Sequence, residues 1–335
     1  MKVLLLFILF IILLYYSINL KILNVDNFSS YNTKNINKNN NLKLAIHTVF
    51  LPQENTYFLE EWLKYHIHIG FSRFYLYDND KSSEDKNIAV EKFQKKNKYK
   101  INFNEIFDDK EHQQKIYNQI LEKYKDYIVY IKWQPRNKDN KIYYGQNTSI
   151  TEYIKKYKND NDWTAFIDID EFIILKDENF NNLKDFISNK QNQGYNKLIL
   201  TQKKMIDRFS DLNASIFDLN DSIKVNTNGW GEKSICKNND LSDENKGGKF
   251  NIHNIKVINQ KYLKLDDNVL YFNHYNLNNS QYNWMKNYFN KNIFESQKNN
   301  DLVKFKEKLY DENILKYRSF NKNYKTIMKD LSYKF

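Results

Sequence analysis

Residues 163–175 read WTAFIDIDEFIIL, an apolar run that contains the acids Asp168, Asp170 and Glu171. Carboxylates inside a hydrophobic element are costly unless something offsets their charge. Asp168 and Asp170 are two positions apart, so on a strand their side chains share one face. Two carboxylates that close repel each other, and one takes up a proton unless a cation lies between them. The stretch therefore predicts a buried strand that ends in a cation site.

Carboxylate oxygens suit the hard cations Mn²⁺ and Mg²⁺. An ion held by only one or two carboxylates keeps positions open for substrate phosphates. The alternative is a strand end whose acids cap the next turn, but the apolar residues on both sides favour the metal. Phosphatases of the haloacid dehalogenase type need Thr or Val at the fifth motif position, where Phe172 stands. An EF-hand needs Gly where Ile173 stands.

The surrounding sequence alternates strand and helix patterns, which predicts an α/β fold with a mostly parallel, Rossmann-like sheet flanked by helices. Ligands of such sheets bind beyond the carboxyl ends of the strands, so YDND (77–80) and DIDE (168–171) are expected to face one crevice. Beyond about residue 180 the pattern is less regular, and residues 277–320 look helical. The predicted strands are 42–50, 71–80, 101–107, 128–133 and 163–170, and the predicted helices are 55–70, 84–97, 111–126 and 146–160.

The N-terminus, residues 1–23, is an apolar segment just long enough to span a membrane. We interpret it as a transmembrane anchor, with a cleaved signal peptide as the alternative. Residues 24–42 are polar and rich in Asn, which predicts a flexible stem. A catalytic domain at 43–290 and a C-terminal helical extension at 291–335 follow. This order is typical of single-pass, type II enzymes of the Golgi or endoplasmic reticulum lumen.

The charge and cysteine content limit the partners. The chain has 335 residues and a net charge of +11, but it is rich in Lys, Asn, Ile, Tyr and Phe together, as AT-rich coding sequences are. No dense block of Lys and Arg is interleaved with aromatic residues, so we expect no nucleic-acid partner. Cys236 is the single cysteine, which excludes an intrachain disulfide and a cysteine zinc cluster.

Four stretches, in this order, make the chain resemble glycosyltransferase family 92, whose members have the GT-A fold. The most specific is the second, in which a Gln and a helix precede W-x-x-F-x-D-x-D-E-F. The four span about residues 43–290. They read QENTYFLEEWLKYHIHIGFSRFYLYDND (53–80), GQNTSITEYIKKYKNDNDWTAFIDIDEFI (145–173), EKSICKNNDLSDENKGGKFNIHNI (232–255) and FNHYNLNNSQYNWMK (272–286).

The resemblance implies a set of site residues. Asp168 and Asp170 match the motif that binds Mn²⁺ (or Mg²⁺) and the donor diphosphate. His253 and His274 compete for a third metal position. The residues implied to contact the donor are Glu54, Asp78, Asn79, Gln146, Glu171, Lys233 and Lys286.

The resemblance also implies an activity. A sugar would pass from a UDP-sugar to a hydroxyl of a glycan or glycoprotein acceptor, with inversion, and family activities suggest galactose. Inversion requires a carboxylate base downstream of the metal strand. Glu232 is the first candidate and Asp207 the second. The alternatives are a membrane-anchored protein that binds carbohydrate or nucleotide without turnover, and a metal-dependent phosphatase.

Overall fold

The computed structural model describes residues 41–80, 110–205, 221–223, 231–243, 252–253, 255–275, 296–298 and 300–302. Contacts divide the chain into Met1–Asn41 and Leu42–Phe335, and every element named below belongs to the second unit. The predicted anchor, nearly all of the predicted stem, the helix at 84–97 and the strand at 101–107 lie outside the described residues. Among the helices that are described, none is both long and apolar enough to cross a bilayer.

Helices and strands are numbered here in chain order among the described residues. The helices are α1 (Pro52–His68), α2 (Lys110–Lys123), α3 (Gln146–Lys156) and α4 (Leu183–Asn192). The strands are β1 (Leu44–Phe50), β2 (Arg73–Asp78), β3 (Ile128–Lys132), β4 (Trp163–Phe166), β5 (Glu171–Leu175), β6 (Lys197–Met205), β7 (Asp221–Ile223), β8 (Lys233–Lys237), β9 (Tyr262–Lys264), β10 (Leu270–Tyr275) and β11 (Ser296–Lys298).

The sheet begins as predicted and then changes character. Strands β3, β2, β1 and β4 lie side by side and are parallel. Beyond β4, however, β8 runs antiparallel. Of the ten strand pairs among the described residues, five are parallel and five antiparallel. The expectation of a mostly parallel sheet is therefore wrong, and the fold is a mixed α/β sheet with flanking helices.

Strand β6 is long enough to serve two groups of strands. Its first half pairs with β8 and β9, and its second half pairs with β10 and β7. Strand β10 also pairs with β5, and β7 pairs with β11. Residues 296–298, for which the sequence predicted helix, thus form a strand. The chain after β5 returns to the sheet several times, and this return brings residues far apart in sequence to the end of β4.

The acidic stretch is a turn rather than the end of a strand. Strand β4 ends at Phe166, and the Glu171 amide donates to the Asp168 carbonyl at 3.1 Å, which closes the turn. The next strand, β5, pairs with β10 and not with β4. The argument that Asp168 and Asp170 share a strand face is therefore wrong. Their predicted location is confirmed, because Phe50 pairs with Asp78 and His47 with Phe166, so the ends of β2 and β4 lie at the same edge.

Helix α1 protects the edge of β5 that faces away from β10. The indole nitrogen of Trp62 donates to the Glu171 carbonyl at 2.9 Å, and the Tyr65 hydroxyl donates to the Ile173 carbonyl at 2.6 Å. The Ile173 amide donates to Nε2 of His66 at 3.4 Å, while Nδ1 of His66 donates to the Trp62 carbonyl at 2.9 Å. Three side chains thus satisfy backbone groups that an edge strand leaves unpaired. His66 packs in the core beside Trp62.

We predict that His66 makes stability depend on pH. Burial lowers its pKa from the ordinary 6.5 to about 3, so the native chain leaves the ring neutral while the unfolded chain protonates it. The free energy of unfolding then falls as pH drops below about 6.5. At pH 5 the loss due to this ring is about 2 kcal/mol. Urea unfolding of the wild type and of His66→Gln at pH 7.5 and 5.0 should show a smaller decrease in the variant. An identical decrease in both would contradict the prediction.

Candidate active site

The ammonium of Lys233 lies at the centre of the acidic turn. Strand β8 begins at Lys233 and carries its side chain to Asp168 Oδ2 at 2.6 Å and Glu171 Oε2 at 3.0 Å. Glu171 Oε2 also accepts the Asp168 amide at 2.9 Å. The side chains of Lys233 and Glu171 are each 1% exposed, whereas that of Asp168 is 28% exposed. A protein cation thus stands beside the acids for which the sequence favoured a metal ion.

Burial and this ion pair act differently on the two acids. Burial raises the pKa of Asp168, but the Lys233 ammonium outweighs it and the net pKa is lowered. Burial is the largest effect on Glu171, and the neighbouring Asp168 and Asp170 add to it, so its pKa is raised to about 7 despite Lys233. Burial lowers the pKa of Lys233. The two carboxylates act in the opposite direction and together outweigh burial, so the net pKa is raised. Asp168 and Lys233 therefore form the ionised pair, and Glu171 holds a proton more readily than an ordinary glutamate.

His274 faces the other acid of the motif. It lies on β10, and its Nε2 is 3.5 Å from Asp170 Oδ2, which is long for a hydrogen bond. On the other side of the ring, Nδ1 lies 2.9 Å from Gln202 Oε1 on β6. Burial lowers the pKa of His274. Asp170 and Glu171 act in the opposite direction and together outweigh burial, so the net pKa is raised. The ring and Asp170 thus form a second pair beside the one that Lys233 makes.

The residues of this second pair fit a divalent cation. Nε2 of His274 is buried and has no hydrogen-bond partner among the described residues. Adjacent ligand atoms of an octahedral ion with bonds of about 2.1 Å are about 3 Å apart, near the 3.5 Å observed here. Within the described part of the chain, no three His, Cys, Asp or Glu side chains converge as metal ligands. Asp170 and His274 are therefore the two described side chains that could each offer a ligand atom to such an ion.

Gln146 extends the site toward the end of β2. It is the first residue of α3, and its Nε2 donates to Asp168 Oδ1 at 2.8 Å. The preceding loop is held by Asn79, whose Nδ2 donates to the carbonyls of Trp133, Tyr143 and Tyr144 at 2.9, 3.3 and 3.3 Å. Asn79 thus places the loop that presents Gln146, and its direct contact with a donor stays a prediction.

Asp78 is also buried at this edge. It is 2% exposed, and its Oδ2 accepts the Tyr130 hydroxyl at 2.6 Å. Burial raises the pKa of its carboxyl above the usual range. Its contact with the donor stays a prediction.

The remaining predicted residues are less tied to the turn. The carboxylate of Glu232 forms an ion pair with Lys264 on β9. His253 is exposed, and its Nδ1 lies 2.8 Å from the Glu232 carbonyl. Glu54 lies in the first turn of α1, and its side chain is not described. Asp207 and Lys286 lie outside the described residues.

Two residues near the cluster were absent from the sequence-based site. Gln202 contacts His274, and Lys204 lies opposite His274 in the β6–β10 pair. Burial lowers the pKa of Lys204, with Asp170 and Glu171 acting in the opposite direction. Both residues stand in TQKKM, a short polar strand segment without a motif, so only the long-range pairing of β6 reveals them.

The family assignment follows from a comparison of the whole sequence. The chain matches the profile of glycosyltransferase family 92 over residues 40–318. The chain belongs to glycosyltransferase family 92. The match covers the whole acidic turn, Lys233 and His274, so the cluster described above is part of a glycosyltransferase domain of family 92. It also runs past residue 290, where we expected the catalytic domain to end.

Solved structures provide weaker similarities to this family 92 chain. One is HddC from Yersinia pseudotuberculosis, with 11% identity, a TM-score of 0.34, and coverage of 74% of this chain and 99% of that one. Another is residues 1–349 of S. aureus TarS in complex with UDP, with 12% identity, a TM-score of 0.34, and coverage of 88% and 94%. The search of curated proteins found no match.

We predict that Lys233→Met strongly destabilises this family 92 domain. Removal of the ammonium leaves Asp168 and the buried Glu171 without their counter-ion, and breaking a buried pair in this way costs about 3–5 kcal/mol. Urea unfolding at pH 7 measures the loss. The double variant Lys233→Met/Asp168→Asn should recover part of it, because the charge that Lys233 offsets at Asp168 is gone.

Lys125→Met is the matched control for that experiment. Its ammonium lies 2.7 Å from Glu122 on the surface, where both side chains are well exposed. Solvent screens such a pair, so the unfolding curve should be unchanged. Equal stability of Lys233→Met and the wild type would contradict the central role of Lys233.

Proposed function

We propose that this family 92 protein is a metal-dependent, inverting glycosyltransferase of the GT-A type. It moves a sugar, galactose by family resemblance, from a UDP-sugar to a hydroxyl of a glycan or glycoprotein. One observation carries the proposal. Nε2 of His274 makes no hydrogen bond among the described residues and lies 3.5 Å from Oδ2 of Asp170, beside the Asp168–Lys233 ion pair. A second proposal is that residues 1–23 anchor the enzyme in a Golgi or endoplasmic reticulum membrane with the domain in the lumen.

The residues of the cluster have separate tasks in this proposal. Asp170 and His274 would hold Mn²⁺ or Mg²⁺, and Asp168 stays oriented by Lys233 and Gln146. When bound, the cation neutralises the charge that develops on the leaving diphosphate. The acceptor oxygen attacks the anomeric carbon as the bond to UDP breaks, and a carboxylate takes the acceptor's proton.

The base in this proposal is Glu232, with Asp207 as the second candidate. The Glu232 side chain is 14% exposed and is paired with the Lys264 ammonium. Glu232 immediately precedes Lys233, the first residue of β8, so the proposed base and the lysine of the acidic turn are neighbours in the chain.

We predict that Asp170→Ala abolishes turnover while the fold persists. The full chain in detergent is incubated with UDP-sugars, Mn²⁺ and a pool of glycans, and UDP release is measured. Loss of a metal ligand should lower the rate about 100-fold or more, since the ion supplies several kcal/mol. Asp139→Ala is the control, because Asp139 is an exposed aspartate of a turn outside the cluster. A wild-type chain that binds glycans or UDP but releases no UDP would favour the non-catalytic alternative.

A further inference from the structure

The ring of His274 is held between an amide and a carboxylate. Gln202 contacts Nδ1 at 2.9 Å, and Asp170 lies 3.5 Å from Nε2. Gln202 pairs with Phe272 in the β6–β10 register, so it is diagonal to His274 on the same face of the sheet. The side chain of His274 is 15% exposed. Its orientation is therefore set by protein groups on both sides rather than by solvent.

The contact with Gln202 decides which ring nitrogen carries the proton. An amide oxygen only accepts, so the neutral ring must hold its proton on Nδ1 and donate it to Oε1 of Gln202. Nε2 then carries the lone pair and turns it toward Asp170. Without Gln202, the Asp170 carboxylate would favour the opposite tautomer, because Nε2–H could donate to it. That tautomer has no lone pair to offer a cation at Nε2.

Gly231 keeps the amide of Gln202 in place. The β6–β8 register ends with Leu200 opposite Lys233, and its continuation by two residues brings Gln202 opposite Gly231. A Cβ built on Gly231 would lie 1.7 Å from Gln202 Nε2, and the glycine has a φ of +88°. Only glycine tolerates both that backbone conformation and that approach. Any side chain at position 231 would therefore displace the amide of Gln202 from its place beside His274.

We propose that Gln202 is a positioning residue that selects the Nδ1–H tautomer of His274 and so directs Nε2 to a divalent cation beside Asp170. The inference rests on the proposed metal dependence and adds a residue to that site. Partners of this kind fix the ring orientation of metal-binding histidines, and their loss typically weakens metal affinity by about 10- to 100-fold. The same magnitude is expected here for a variant that keeps the shape of Gln202 and loses its oxygen.

Mn²⁺ binding to the full chain in detergent tests the proposal. Electron paramagnetic resonance measures free Mn²⁺, with and without UDP. Gln202→Met should raise the dissociation constant about 10- to 100-fold. Gln202→Glu keeps an acceptor for Nδ1–H and should bind within a few-fold of the wild type. Gln191→Met is the matched control, because Gln191 Oε1 also accepts from a ring nitrogen, that of Trp163 at 2.7 Å, outside the cluster. Its affinity should not change.

A second measurement reads the tautomer without any metal. Nitrogen-15 spectra of labelled histidines, recorded at a pH where His274 is neutral and assigned with His274→Gln, should show Nδ1–H in the wild type and Gln202→Glu. Gln202→Met should shift the ring toward Nε2–H. Unchanged Mn²⁺ affinity and an unchanged tautomer in Gln202→Met would overturn the role of Gln202 alone. A wild type that binds no Mn²⁺, with or without UDP, would instead overturn the metal site and the proposed function with it.

Discussion

The buried ammonium of Lys233 is the interaction on which the rest of the site depends. It neutralises Asp168 and Glu171 at 2.6 and 3.0 Å, and Glu171 in turn accepts the Asp168 amide. These bonds close the turn after β4, and the Tyr275 amide donates to the Asp170 carbonyl at 2.8 Å. The cation comes from the first residue of β8, which pairs with β4, so the ion pair depends on that strand pairing. The geometry of the acidic turn is therefore a product of the whole sheet, not of the local sequence.

Helix α1 supplies the second support of the same turn. Strand β5 starts at Glu171, and α1 binds its backbone through Trp62 and Tyr65 at 2.9 and 2.6 Å. On the opposite edge, β10 pairs with β5 and brings His274 opposite Glu171. The β5 backbone is thus satisfied on both sides, by aromatic side chains on one and by a strand on the other. This arrangement holds Glu171 next to His274, whose ring faces Asp170 of the same turn.

The sequence predicts the first half of the fold well and the second half poorly. Alternating strands and helices near β1, α1 and β2 are local patterns, and the structure has them close to the predicted bounds, whereas β4 ends at Phe166 instead of residue 170. Strands β6, β8 and β10 join the sheet through pairings between residues tens of positions apart. The local periodicity of the sequence contains no information about such pairings. For the same reason Asp168 and Asp170 could be found as a motif, whereas Gln202 could not. Lys233 was found by resemblance, but its burial between two acids was not foreseen.

The two aspartates of the motif differ in how their charge is offset. Asp168 forms an ion pair with Lys233 and accepts a hydrogen bond from Gln146, so its carboxylate is ionised without a metal ion. Asp170 faces His274 at a distance that leaves both side chains able to take another partner. Burial, together with Asp168 and Asp170, raises the pKa of Glu171. His274 and Lys204 face Asp170 and Glu171 from β10 and β6. Because Lys233 already offsets the charge of Asp168, the divalent cation that we propose would be held on the side of Asp170 and His274.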